Sequence, residues 1–135
     1  TLLRNENKIV HVGSWSLAIA GIEDMWSGKY DLADALEDIP DDLPVILLSH
    51  NPSIVDDARS HRASLIASGH THGGQIRLPF IGPLVSLPTT LGKEFDRGIF
   101  PVNDTTTLAI TQGVGETTAR ARLFAPPQIL VLRTK

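Results

Sequence analysis

Residues 44–74, PVILLSHNPSIVDDARSHRASLIASGHTHGG, decide the fold. They hold two short, nearly continuous apolar runs, 44–50 and 63–70, the pattern of strands buried on both faces. Between them Asn51-Pro52 breaks the chain, and 53–62 reads as a short helix with Ser53 as its N-cap. Strand, helix and strand in so short a space make a βαβ unit, so the two strands are expected to be parallel neighbours. Each ends in a histidine, His50 or His70, and His72 follows two residues later between glycines.

Upstream, WSLAIAGIED (15–24) reads as a strand with a loop after Gly21. DLADALEDI (31–39) places Leu32, Ala35, Leu36 and Ile39 at helical spacing, and Pro40 stops it. After Gly74 the texture changes to short β-rich pieces, GQIRLPF, FDRGIFPV, TTLAITQGV and PQILVLRT, separated by Gly, Pro, Asn and Asp. These predict antiparallel strands and hairpins with no further helix. The fold class is therefore α/β: a mixed sheet with a βαβ unit, then a β-rich carboxyl-terminal part, in one domain over residues 1–135.

Composition bounds the function. The chain has 135 residues, 41% hydrophobic and 20% charged, with a formal net charge of −3 and no dense basic stripe. That balance belongs to a globular protein and argues against a nucleic-acid partner. The absence of cysteine excludes disulfides, thiolate zinc sites and cysteine nucleophiles. No apolar run approaches the roughly 18 residues of a membrane span. The chain opens on Thr1 without a signal-peptide pattern, and is expected to be a piece of a longer protein.

In a parallel sheet, functional groups gather at the carboxyl ends of the strands. Adjacent strands lie about 4.8 Å apart, so His50 and His70 can share one site. His72 joins them on the same side if the chain stays extended. The three imidazoles are thus expected to converge, holding one metal or splaying to contact two ions about 3.5–4 Å apart. A zinc site of three histidines and a water is a coherent alternative. The glycines at 69, 73 and 74 permit backbone angles that other residues resist.

LLSHNP, followed some twenty residues later by SGHTHGGQIRLP, closely resembles the calcineurin-like metallophosphoesterases, in particular bacterial phosphohydrolases with a Gly-His-Thr-His-Gly-Gly-Gln motif. TLLRNENKIV, LAIAGIEDMWSG and RLFAPPQILVLRT are similar to flanking segments of that family. The resemblance implies half of a four-layer α/β/β/α sandwich and a centre of two divalent ions such as Mn, Zn or Fe. His50 and His70 would bind one ion and His72 its partner. The substrate would be a phosphomonoester, phosphodiester or pyrophosphate. The family's Asp-x-His, Gly-Asp and Gly-Asn-His motifs, which supply a bridging Asp, an Asn ligand and an acid histidine, do not occur in the sequence. The chain therefore reads as the carboxyl-terminal half, supplying histidine ligands but not turnover. The amino-terminal half would cover one sheet face, so the excised chain could self-associate. Location is left open between the cytoplasm and a membrane reached through the missing segment. Two competing readings are a self-contained mononuclear three-His hydrolase and a non-catalytic metal-binding or interaction module.

Other residues read more plainly. Glu23 and Asp24 start a turn, and Trp26 lines a pocket or packs over a loop. Arg122 reads as a solvated strand residue rather than a phosphate ligand. His11 and His61 are surface or capping residues, and GVGET (113–117) lacks the lysine of a phosphate cradle. Gln128 stands where the family has a glutamate.

Overall fold

The computed structural model describes residues 1–117 and 120–133. β1 (Glu6–Val12) and β2 (Trp15–Gly21) form an antiparallel hairpin, turning at Gly13 with a φ of 62°. α1 (Leu32–Leu36) leads to β3 (Val45–Leu48) and β4 (Leu65–Ser68). β5 (Arg77–Leu78) and β6 (Gly82–Pro83) pair apart from the main sheet, which β7 (Gly98–Pro101) and β8 (Thr107–Ile110) complete. The strand order is β1-β2-β3-β4-β8-β7. β2, β3, β4 and β8 run parallel, with antiparallel β1 and β7 at the two edges. The class is α/β with a mixed sheet, as the sequence implies.

Register makes one face the core. Ala20, Leu47, Ile66 and Leu108 stand opposite one another across β2, β3, β4 and β8, and all four are fully buried. α1 covers this face with Leu32 and Ala35, and the β3–β4 crossover covers it with Ile54 and Ala63. Burying a Leu or Ile side chain contributes about 1.5–3 kcal/mol, so this row is a main support of the register. The opposite face is apolar but less covered. Leu48, Ala67, Ala109 and Ile99 form its corresponding row, and Leu48 and Ile99 keep 43% and 56% of their surface exposed.

Several expectations are corrected. The β3–β4 crossover is not one helix but two 3-10 turns, Pro52–Asp56 and Ala58–Arg62. Asn51, not Ser53, caps the first of them. Asp57 separates the turns because its carboxylate accepts from the Arg59 backbone N–H and side chain at 3.0 Å. That local bond competes with helix continuation, and Asp57 adopts an extended ψ of 111°. The crossover that contains an α-helix lies one strand earlier, between β2 and β3. β8 pairs antiparallel with β7 but parallel with β4, so the second half is not a simple meander. A 3-10 turn at Lys93–Asp96 also interrupts the β-rich region. The run at 127–133 forms no strand and leaves Ile129 and Val131 exposed, while Thr134 lies outside the described residues. A β-prone run needs a free edge in register to complete its ladder.

α1 is short because both its ends are fixed. Asp31 accepts from the N–H groups of Ala33 and Asp34 at 2.9 and 3.2 Å. At the other end the Asn7 amide donates to the carbonyls of Ala35 and Glu37 at 3.1 and 2.9 Å. Asn7→Ala should therefore lower stability by about 1–2 kcal/mol, the net value of one to two such bonds. Urea denaturation with an unchanged midpoint would contradict this role.

Candidate metal centre

The carboxyl ends of the four parallel strands open into one cleft of about 570 Å³. Trp26 reaches it from the loop after β2, His50 from β3, His70 and His72 from β4, and Thr117 from the loop after β8. Asp24 holds the Trp26 turn by accepting its N–H at 3.0 Å, which is the turn-starting role expected of it. Glu23 faces Arg4 at 3.6 Å.

His50 and His70 meet. Their ring centroids lie 4.8 Å apart at 72°, and Trp26 stands edge-on to His70 at 4.7 Å. The Nε2 atom of His70 is buried with no hydrogen-bond partner, a costly arrangement for a polar nitrogen unless a ligand completes it. Burial holds the His70 pKa below the ordinary imidazole value, and the charge of His50 adds to the shift. A neutral imidazole with a free ring nitrogen is the state a metal requires.

His72 lines the same cleft but does not join the other two in a single ligand set. Among the described residues no three His, Cys, Asp or Glu side chains stand together closely enough to hold one ion. The reason is backbone conformation. The chain does not stay extended after β4: His70 and His72 take left-handed φ values of 68° and 52°, with Thr71 at −72° between them. Thr71 is the buried pivot, donating from Oγ1 to the Asp96 carbonyl at 2.6 Å. Asp96 is itself buried and pairs with Arg77 at 2.5 Å. The following glycines are needed for space as well as for angle. A Cβ on Gly73 would sit 2.9 Å from the Cβ of Gln112, and one on Gly74 would sit 2.5 Å from that of Pro83.

Other parts of the site carry weak sequence signals. Gln75 exchanges two 2.9 Å hydrogen bonds with the backbone of Thr117, and His72 Nδ1 lies 3.0 Å from the Gly115 carbonyl. GVGET is thus a support for the histidine loop, not a phosphate cradle. Arg122 corrects its reading as a solvated strand residue, since its guanidinium is spent on backbone carbonyls, Ala125 at 2.9 Å and Gln112 at 3.0 Å among them. Gln128 Oε1 accepts from the Gln112 N–H at 3.3 Å. His11 contacts Ser16 Oγ, and His61 donates to the Val55 carbonyl, both away from the cleft as expected.

No protein-family model and no solved structure matches the chain. Curated relatives do. It is 34% identical over its whole length to the uncharacterized metallophosphoesterase YkuE of Bacillus subtilis, covering 46% of that protein. It is 31% identical over 98% of its length to the UDP-2,3-diacylglucosamine pyrophosphatase LpxG of Chlamydia trachomatis, covering 40% of that protein. The phosphodiesterase YaeI of Escherichia coli is 33% identical over 61% of the chain, which covers 29% of it. The chain belongs to the calcineurin-like metallophosphoesterases. It spans less than half the length of each of these metallophosphoesterase relatives. Membership implies a divalent metal cofactor, and the bare Nε2 of His70 fits that group.

His70 should titrate below the ordinary value of about 6.5 in an NMR titration of the metal-free chain. Replacing His50 with Gln removes the neighbouring charge and should move that midpoint upward. A His70 midpoint above 6.5 would contradict the buried setting.

Proposed function

We propose that the protein containing this chain hydrolyses a phosphate ester with two divalent ions, and that His50, His70 and His72 are the ligands this chain supplies. The observation that carries the reading is the contact between His50 and His70 at adjacent parallel strand ends, with a buried, unpartnered Nε2 on His70. The division of the histidines supports two ions over one. His50 and His70 would serve the first, and His72, set apart by the turn at Thr71, the second. A self-contained three-His site has less support, because the three rings do not form one ligand set among the described residues. When bound, the ions would polarise the phosphoryl group and orient the attacking water.

The chain's own residues position and enclose. Trp26 and the segment Val85–Pro88 line the cleft together with the histidines, with Trp26 edge-on to His70. Arg122, bonded to carbonyls, is not available as a phosphate ligand. The names of LpxG and YaeI favour a pyrophosphate or phosphodiester substrate over a phosphomonoester. The apolar wall suits a substrate with an apolar group beside its phosphate. The bridging carboxylate and the proton donor would come from the amino-terminal half, which would also seat on the partly covered face of Leu48 and Ile99. The chain alone would then expose that face and self-associate.

Hydrolysis of a nitrophenyl phosphodiester with manganese or zinc tests this. Residues 1–135 alone should be inactive, and an upstream-extended protein active. His70→Ala or His72→Ala in the extended protein should each cost more than about 100-fold, the usual effect of removing a pre-placed charge-stabilising group. Full activity of the isolated chain, abolished by either substitution, would favour the three-His hydrolase. An inactive extended protein would favour a binding module. The isolated chain should bind zinc or nickel ahead of manganese, because its donors are nitrogens. That binding should weaken as pH falls, because protons compete with the metal for the imidazole nitrogens. Tight manganese binding in calorimetry would instead point to a carboxylate in the site.

A further inference from the structure

The Arg122 guanidinium is engaged with backbone carbonyls. Its donors have a more specific arrangement. Nη1 donates to the carbonyl of His72 at 3.2 Å and to that of Ala125 at 2.9 Å. Nη2 donates to the carbonyls of Gln112 at 3.0 Å and Gly113 at 3.4 Å, and to the carbonyl of Gly115. The Gly115 carbonyl is the one facing His72 Nδ1 at 3.0 Å. One guanidinium therefore grips the backbone of His72 and the acceptor of its ring.

The chemistry of that acceptor fixes the proton. A carbonyl oxygen only accepts, so the neutral His72 ring must carry its hydrogen on Nδ1. Nε2 is then left with a bare lone pair, on a side chain that lines the cleft. A histidine side chain free in water favours the opposite tautomer, with the hydrogen on Nε2, which cannot ligate through that atom. Gly115 sits in an exposed loop, where its carbonyl would otherwise be free to turn to water. Arginine suits the task because its planar fork offers several donors in fixed directions, which a lysine ammonium does not.

The geometry points to Arg122 as the positioning residue of His72: by holding the Gly115 carbonyl against Nδ1–H, it sets the tautomer that presents Nε2 to a divalent ion. This rests on the metal-ligand reading of His72, but the tautomer is a property of the metal-free protein and is measured separately. The hydrogen bond from a metal-ligating histidine to a carbonyl is a general device for orienting the ring. Here the carbonyl is in turn anchored by a cation.

The experiment is long-range ¹⁵N–¹H correlation NMR of the imidazoles in the metal-free protein with its native flanking sequence, at about pH 8.5, about two units above the ordinary imidazole value. Wild-type His72 should show the Nδ1–H form alone. Arg122→Met, which keeps the apolar stem, should shift His72 toward the Nε2–H form, and Arg122→Lys should fall between them. His50 and His70, which Arg122 does not touch, should keep their wild-type tautomers in both variants. Zinc affinity in Arg122→Met should drop about 10–100-fold, the range typical of losing such a support. A wild-type His72 in the Nε2–H form overturns the inference whether or not any variant folds. So does a folded Arg122→Met or Arg122→Lys protein that keeps Nδ1–H entirely. If the tautomers behave as stated but neither wild type nor variant binds zinc, the positioning role stands and the metal reading of the site fails.

Discussion

His50 and His70 touch because β3 and β4 are held in one register, and the rest of the site is arranged around that contact. The ladder pairs Leu47 with Ile66 and Leu48 with Ala67. It continues past the strands, where the Ser49 N–H donates to the Ala67 carbonyl and the Gly69 N–H to the His50 carbonyl, both at 3.1 Å. A slip of one residue would turn Leu47 or Ile66 out of the core and carry one histidine away from the other. The apolar core and the His50–His70 contact are therefore fixed by the same pairing. Placing the chemistry at strand ends lets hydrophobic burial, which is strong but has no direction, position two imidazoles.

Beyond the ladder the chain turns sharply, and here local preference works against the fold. His70, His72 and Gln75 all adopt left-handed φ values, each costing of order 1–3 kcal/mol for a residue with a side chain. Tertiary bonds hold them there. Thr71 is tied to the Asp96 carbonyl, Gln75 to the backbone of Thr117, and Arg122 to the His72 carbonyl. The loop after β8 is thus as much a part of the site as the histidines are. It receives the ring of His72 and the amide of Gln75.

Patterning made some of this legible in the sequence. The runs at 44–50 and 63–70 read as parallel neighbours because continuous apolar runs suit buried strands, and the helix in 31–39 read from its spacing, although it ends at Leu36 and not at Pro40. His50 and His70 read as neighbours because strand ends share an edge. What was not legible depended on competition between local and distant bonds. The helix at 53–62 failed because the Asp57 carboxylate bonds Arg59, a contact that hydrophobic periodicity does not record. The separation of His72 from His50 and His70 depends on Thr71 being drawn inward by Asp96, twenty-five residues away. Arg122 was misread for a similar reason, since its carbonyl partners are gathered by the fold and are identical in every sequence. The closing run at 127–133 has strand composition but no ladder, because composition cannot supply an edge.

If His50, His70 and His72 are the ligands of a metal centre, replacing any one of them must change the surroundings of the bound ion. Zinc-edge X-ray absorption on the protein with its flanking sequence tests that most directly. The account predicts imidazole scattering that falls in each of His50→Ala, His70→Ala and His72→Ala, and that is unchanged in His11→Ala and His61→Ala. A zinc spectrum indifferent to the first three substitutions, with the variants folded, would contradict it.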